Sequence, residues 1–143
     1  MRRIILRLVI GLGVLLLAAV AFVFWGQTSP RDVPAKVPGF HEMHVAVPHR
    51  EKELSVYMWY PTDASGEAEL VAQNALFYGF HAYRDASPVA EDSPVVVISH
   101  GSGGNGRQLG WIARELATNG FIVVATDHPG TTSGDSDPFQ TVN

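Results

Sequence analysis

The rhythm of apolar and polar positions divides this chain into distinct stretches. Residues 8–25 are an apolar run of 18 with no charge, close to the ~20 residues a helix needs to cross a bilayer. Residues 40–47 and 54–60 read as strands. In the second, Leu54, Val56, Met58 and Tyr60 alternate with Ser55, Tyr57 and Trp59, a period of two. Pro48, His49, Arg50, Glu51, Lys52 and Glu53 between them are polar and few enough for a hairpin loop. Pro61 ends the pair, since proline cannot donate to a strand ladder. Residues 95–98 are Val-Val-Val-Ile, a continuous apolar run of the kind a parallel strand shows when both its faces are covered. Leu109, Ile112, Ala113, Leu116 and Ala117 fall on one helical face and predict a helix over 107–118. Asn119 and Gly120 stop it, and residues 121–126 form a second buried strand. Strand, helix, strand in this order is a right-handed crossover unit. The fold class is therefore α/β: an apolar N-terminal helix, an antiparallel hairpin, then a parallel strand–helix–strand unit.

The intervening stretch, 62–93, has a weaker pattern. Asp63, Ala64, Ser65 and Gly66 suit a turn, and residues 67–76 accommodate a short helix. Residues 77–83 are rich in aromatics and are expected to pack over the sheet edge. A loop this long inside a compact domain often lies near a functional site, or is a surface insertion.

Charge sharpens the reading of the N-terminus. Arg2, Arg3 and Arg7 precede the apolar run, and basic residues there favour a cytoplasmic N-terminus. Ala19, Val20 and Ala21 offer a small-x-small cleavage site as in a secretory signal. An uncleaved membrane anchor through residues 8–25 and a cleaved signal both fit, and both export the rest of the chain. A buried core helix does not fit, because the run has no polar face. The expected layout is a signal or anchor over 1–26, a Pro-containing linker over 27–39, and a domain over 40–143. The chain has no cysteine, so disulfides are excluded. With the three leading arginines set apart, 7 basic residues face 14 acidic ones. The exported part then carries a net charge of about −7, and no basic patch remains to hold nucleic acid.

The glycine turn after residue 98 fits two chemistries. Gly101, Gly103 and Gly106 satisfy G-x-G-x-x-G between strand and helix, and Asp127 lies 21 residues past Gly106. That is the spacing of a dinucleotide site. Against it stand the export signal, the late position of the unit in the domain, and His100 and the Asp127, His128, Pro129, Gly130 run, which have no role there. The other reading is an oxyanion loop. Acyl transfer passes through a tetrahedral anion that needs N–H donors, and glycines let the backbone approach a substrate closely. In His100, Gly101, Ser102, Gly103 and Gly104, the backbone N–H of Ser102 is the candidate donor.

These stretches resemble a known family. Arg50-Glu-Lys-Glu-Leu-Ser-Val-Tyr-Met-Trp-Tyr-Pro61, Ser99-His-Gly-Ser-Gly-Gly104, Leu116-Ala-Thr-Asn-Gly-Phe-Ile-Val-Val-Ala125 and Asp127-His-Pro-Gly130 look like the N-terminal part of bacterial dienelactone-hydrolase-like proteins. Those are similar to the platelet-activating-factor acetylhydrolase group of α/β-hydrolases. The resemblance spans residues 40–136. It implies the N-terminal part of an α/β-hydrolase fold and a serine esterase acting on short acyl esters or lactones, without cofactor or metal. The attacking serine, relaying histidine and orienting acid would act through an acyl-enzyme. The family places its serine elbow after the next helix and its acid and histidine later, and none of the three is matched here. Ser102 is not that nucleophile, because His100 stands where the elbow needs glycine. Residues 130–134 also miss the G-x-S-x-G spacing. Only Ser102 as backbone donor, with His100, Gly101, Gly103 and Gly104 supporting, carries over.

Quieter roles are expected for several of these residues. His100 holds the loop by hydrogen bonding, and Asp127 and His128 shape the turn after their strand. His41, His44, His49 and His81 have no metal-ligand spacing. The resemblance implies that four strands of the fold are present. The strand at 121–126 is expected to lack a partner on one edge and its helix cover, leaving the isolated chain poorly stable. A non-catalytic exported or anchored domain is the competing function.

Overall fold

A computed structural model of the protein describes residues 2–28, 33–48, 52–74, 77–89, 92–133 and 135–136. The chain forms two compact units, Met1–Asp32 and Val33–Asn143. In the first, helix α1 runs Arg2–Thr28. At 1.5 Å per residue it is about 40 Å long, and its apolar side chains are exposed all round. Its stretch Arg2–Gly26 is long and apolar enough to cross a membrane. That is compatible with a signal sequence or an anchor.

The second unit is built on a six-stranded sheet. Strands β1 (Gly39–Val45) and β2 (Leu54–Tyr60) form the expected antiparallel hairpin, with Phe40 opposite Trp59 and Glu42 opposite Tyr57. The middle of the hairpin loop, residues 49–51, lies outside the described residues. Next come β3 (Glu69–Gln73), β4 (Tyr78–Arg84) and β5 (Val95–Ser99). A short 3₁₀ turn (Gly106–Leu109) leads into α2 (Gly110–Thr118), then β6 (Ile122–Thr126). The small strands β7 (Thr131–Thr132) and β8 (Asp135–Ser136) pair with each other. The sheet order is β3-β4-β1-β2-β6-β5.

Several expectations are corrected. The short helix expected over 67–76 is not found among its described residues, 67–74: 69–73 are strand β3, antiparallel to β4. The stretch has one fully buried side chain, Val71, and pairing to β4 decides its conformation where intrinsic preference is weak. Residues 77–83 do not pack over the sheet edge but extend the sheet, with β4 parallel to β1 through Gly39–Tyr83 and Phe40–Arg84. The strand at 121–126 is not an edge. It runs between β2, antiparallel, and β5, parallel, and α2 covers one of its faces. The edge is β5, which pairs with β6 alone among the described residues. The sheet thus holds six strands, not four, because the 62–93 stretch contributes two.

One layer of apolar side chains joins α2 to the sheet. Phe40, Trp59 and Phe80 pack with ring centroids 5.3 to 5.8 Å apart. Ala113 and Ala117 of α2 are fully buried against them, with Val123 and Ala125 of β6. The helix sits close to the sheet because two of its contacts are glycines. A Cβ on Gly110 would fall 2.3 Å from the Phe80 ring, and one on Gly106 would fall 2.5 Å from Tyr57. Only a missing side chain fits there. The expectation that residues 95–98 are covered on both faces is also corrected: on the face of β5 away from α2, Val95 and Val97 are 62% and 73% exposed, because α2 covers one face of the sheet only.

Candidate active site

Strands β5 and β6 run parallel and end side by side at Ser99 and Thr126. The carboxyl ends of adjacent parallel strands are where open α/β sheets place their ligand sites. Two turns leave that edge: residues 100–105 after β5 and residues 127–130 after β6.

The first turn is a tight one. Gly104 N–H donates to the Gly101 carbonyl at 3.0 Å, and Gly103 has φ +75°. This is the signature of a type II turn, whose third position needs glycine. Gly103 N–H is taken by the Thr131 carbonyl at 2.8 Å, and Ser133 N–H donates to the Gly104 carbonyl at 2.9 Å. The backbone N–H groups of Gly101 and Ser102 have no partner among the described residues. Both residues are exposed. N–H groups without a partner among the described residues, on a hydrogen-bonded turn, are what an oxyanion site uses.

His100 is buried at the base of this turn. The His128 backbone N–H donates to its Nε2 at 3.1 Å, so Nε2 carries no proton. Nδ1 then donates to the Gly101 carbonyl at 2.8 Å. Both ring nitrogens are therefore occupied, Nε2 tying the first turn to the second and Nδ1 bonding within the first. The ring also lies against that of His128, centroids 4.7 Å apart. His128 is fixed in turn: its carbonyl accepts from Thr131 N–H at 3.0 Å, Thr132 Oγ1 at 2.8 Å and Thr131 Oγ1 at 3.2 Å. Its Nε2 lies 2.7 Å from Ser99 Oγ.

Asp127 is spent on structure. One carboxylate oxygen accepts the Gly106 N–H at 2.7 Å and the other the Tyr57 hydroxyl at 2.8 Å. Burial, and then the hydrogen bond to and charge of Asp127, push the Tyr57 phenol up to about 12. The Arg107 guanidinium lies over the Tyr57 ring at 5.3 Å and pairs with Glu42. A dinucleotide reading needs Asp127 free for a ribose and the N–H at Gly106 free for phosphate. Here the two are bonded to each other.

The proposed oxyanion residues His100, Gly101, Ser102, Gly103 and Gly104 all lie on this one turn. The other histidines lie elsewhere. His41 pairs with Asp85 and His44 with Ser55, while His49 is outside the described residues. No cluster of three potential metal ligands occurs among the described residues. Sequence reasoning missed the Ser99–His128 and Tyr57–Asp127 contacts. Their partners are 29 and 70 residues apart, and no local pattern links them.

No protein-family profile and no curated protein matches the chain. Among solved structures, a ferulic acid esterase from Streptomyces cinnamoneus is similar, with a TM-score of 0.59 and 25% identity. The match covers 74% of this chain and 37% of that one, so this chain spans little more than a third of the esterase's length. The likeness supports, in this chain, an α/β fold of the esterase or α/β-hydrolase kind.

Proposed function

We propose that this protein serves carboxylic ester hydrolysis of the serine type, on short acyl esters or lactones. In this reading the Ser102 backbone N–H is an oxyanion donor, with His100, Gly101, Gly103 and Gly104 holding the turn. The observation that carries the reading is that the N–H groups of Gly101 and Ser102, at the carboxyl end of β5, have no partner among the described residues. The likeness to an esterase adds to it. The apolar α1 supports attachment to a membrane or export. A second reading is a non-catalytic exported or membrane-anchored domain, which the apolar α1 would equally serve.

One assay separates the two. The native protein, isolated from its own cells, is given p-nitrophenyl acetate and longer-chain p-nitrophenyl esters. Ester hydrolysis predicts turnover above buffer, falling as the acyl chain lengthens. Replacing Ser102→Pro removes the N–H and is expected to lower kcat roughly 10²–10³-fold, with unchanged far-UV circular dichroism. Turnover at the buffer rate would leave the anchored-domain reading.

A further inference from the structure

Ser99 is an exposed serine at the last position of β5, and its Oγ lies 2.7 Å from His128 Nε2. The same hydroxyl has a second acceptor, the His100 carbonyl, at 3.4 Å. The direction of the shorter contact is set by the His128 tautomer: with the ring proton on Nδ1, the Ser99 hydroxyl donates to Nε2. A serine and a base within ~2.6–3.2 Å, with the base held by further contacts, is the arrangement that activates an oxygen nucleophile. His128 is so held, by its main-chain bonds and by the His100 ring. The N–H groups of Gly101 and Ser102 lie two and three residues beyond Ser99 on the same turn.

We infer that Ser99 is an acylation site, with His128 as its general base and activated acyl esters as its substrate class. The inference rests on the oxyanion reading of the same turn. Ser99 Oγ bonds to the acyl carbon as its proton passes to His128 Nε2. The carbonyl electron pair moves onto oxygen, where the Gly101 and Ser102 N–H groups stabilise it. The tetrahedral centre then collapses, the bond to the leaving alcohol breaks, and the alcohol departs with the proton from Nε2. The product is an ester on Ser99. A second serine–histidine contact, Ser55 Oγ to His44 Nδ1, is longer at 3.3 Å. It lies on the β1–β2 ladder, where backbone N–H groups are used in strand pairing, so Ser55 is expected to stay unmodified.

The test is labelling of the full chain in detergent micelles with p-nitrophenyl acetate and, separately, a fluorophosphonate, followed by peptide mass mapping. The adduct is expected on Ser99. Ser99→Ala should abolish it, and His128→Gln, which keeps the backbone N–H to His100, should slow labelling about 100-fold. Ser55→Ala should label at the unaltered rate. If Ser102→Pro slows labelling at Ser99 as well, both readings of the turn hold. If His128→Gln slows it and Ser102→Pro does not, the Ser99 site stands and the oxyanion role of Ser102 falls. Absence of an adduct on Ser99, an adduct on Ser102 or Ser55 in its place, or an unchanged rate in His128→Gln overturns the inference. Mapping the unsubstituted chain reads the site even where a variant fails to fold.

Discussion

Asp127 accepts the backbone N–H of Gly106 at 2.7 Å, closing the end of β6 onto the start of the 3₁₀ turn that precedes α2. Its other oxygen takes the Tyr57 hydroxyl of β2, so one carboxylate joins three elements. Asp127→Ala leaves two part-buried donors without a partner, each costing roughly 1–3 kcal/mol. Urea denaturation should show a lowered midpoint and an unchanged m-value, with a loss of about 2–6 kcal/mol. The same geometry predicts no saturable fluorescence change on NADH titration of the unsubstituted protein. A loss under about 0.5 kcal/mol would mean the clamp carries little.

Tyr57 should betray its environment on the alkaline side. Its phenol is raised from 10.0 to about 12 by burial and by Asp127. Folding therefore favours the protonated phenol. That contribution is complete below pH 10 and is lost as pH rises through about 12. Absorbance at 295 nm should show a late phase near pH 12, missing in Tyr57→Phe. Tyr60, also raised by burial, will contribute late as well, so the difference between the two proteins is the quantity to read. A difference between the two curves centred near pH 10, the ordinary phenol value, would refute the raised phenol.

Gly110 offers a packing test. Alanine there should help a helix by about 1 kcal/mol on intrinsic preference. Its Cβ would instead fall 2.3 Å from the Phe80 ring, and overpacking of that kind costs about 1–3 kcal/mol. Gly110→Ala is expected to lower Tm, and adding Phe80→Leu should recover part of the loss. Stabilisation by Gly110→Ala alone would show that α2 does not sit this close to β4.

The open edge of β5 is the fourth prediction. Val95 and Val97 are exposed on a strand that has one partner among the described residues. Such edges template association with other chains. Residues 33–143 expressed alone should associate with rising concentration and melt broadly. Val97→Lys should reduce that association in sedimentation velocity. A monomeric, sharply cooperative melt at high concentration would contradict this.

Much of the second unit was legible because its signals are local. The helical face ending in Ala113, Leu116 and Ala117 follows from burying one side of a regular element. In residues 54–60 the period of two marked the strand, but the side most buried is that of Tyr57 and Trp59 rather than that of Leu54, Val56 and Met58. Strand β3 was not legible: Glu69, Leu70 and Gln73 are exposed, so no alternation marks it. Within the site, the turn glycines could be found because a left-handed φ at Gly103 restricts the residue type.

By itself the sequence determined the elements that satisfy themselves locally: the apolar helix, the β1–β2 hairpin, the strand–helix–strand unit and the glycine turn. Tertiary structure decided which strands are neighbours. It inserted β6 between β2 and β5, left β5 at the edge, and added β3 and β4 beside β1. It also decided what the polar residues do, spending Asp127 on Gly106 and Tyr57 and setting Ser99 against His128. The reason is physical. Periodicity records which face of an element is buried, whereas strand order and side-chain pairing depend on contacts between residues far apart in the chain, which no local pattern encodes.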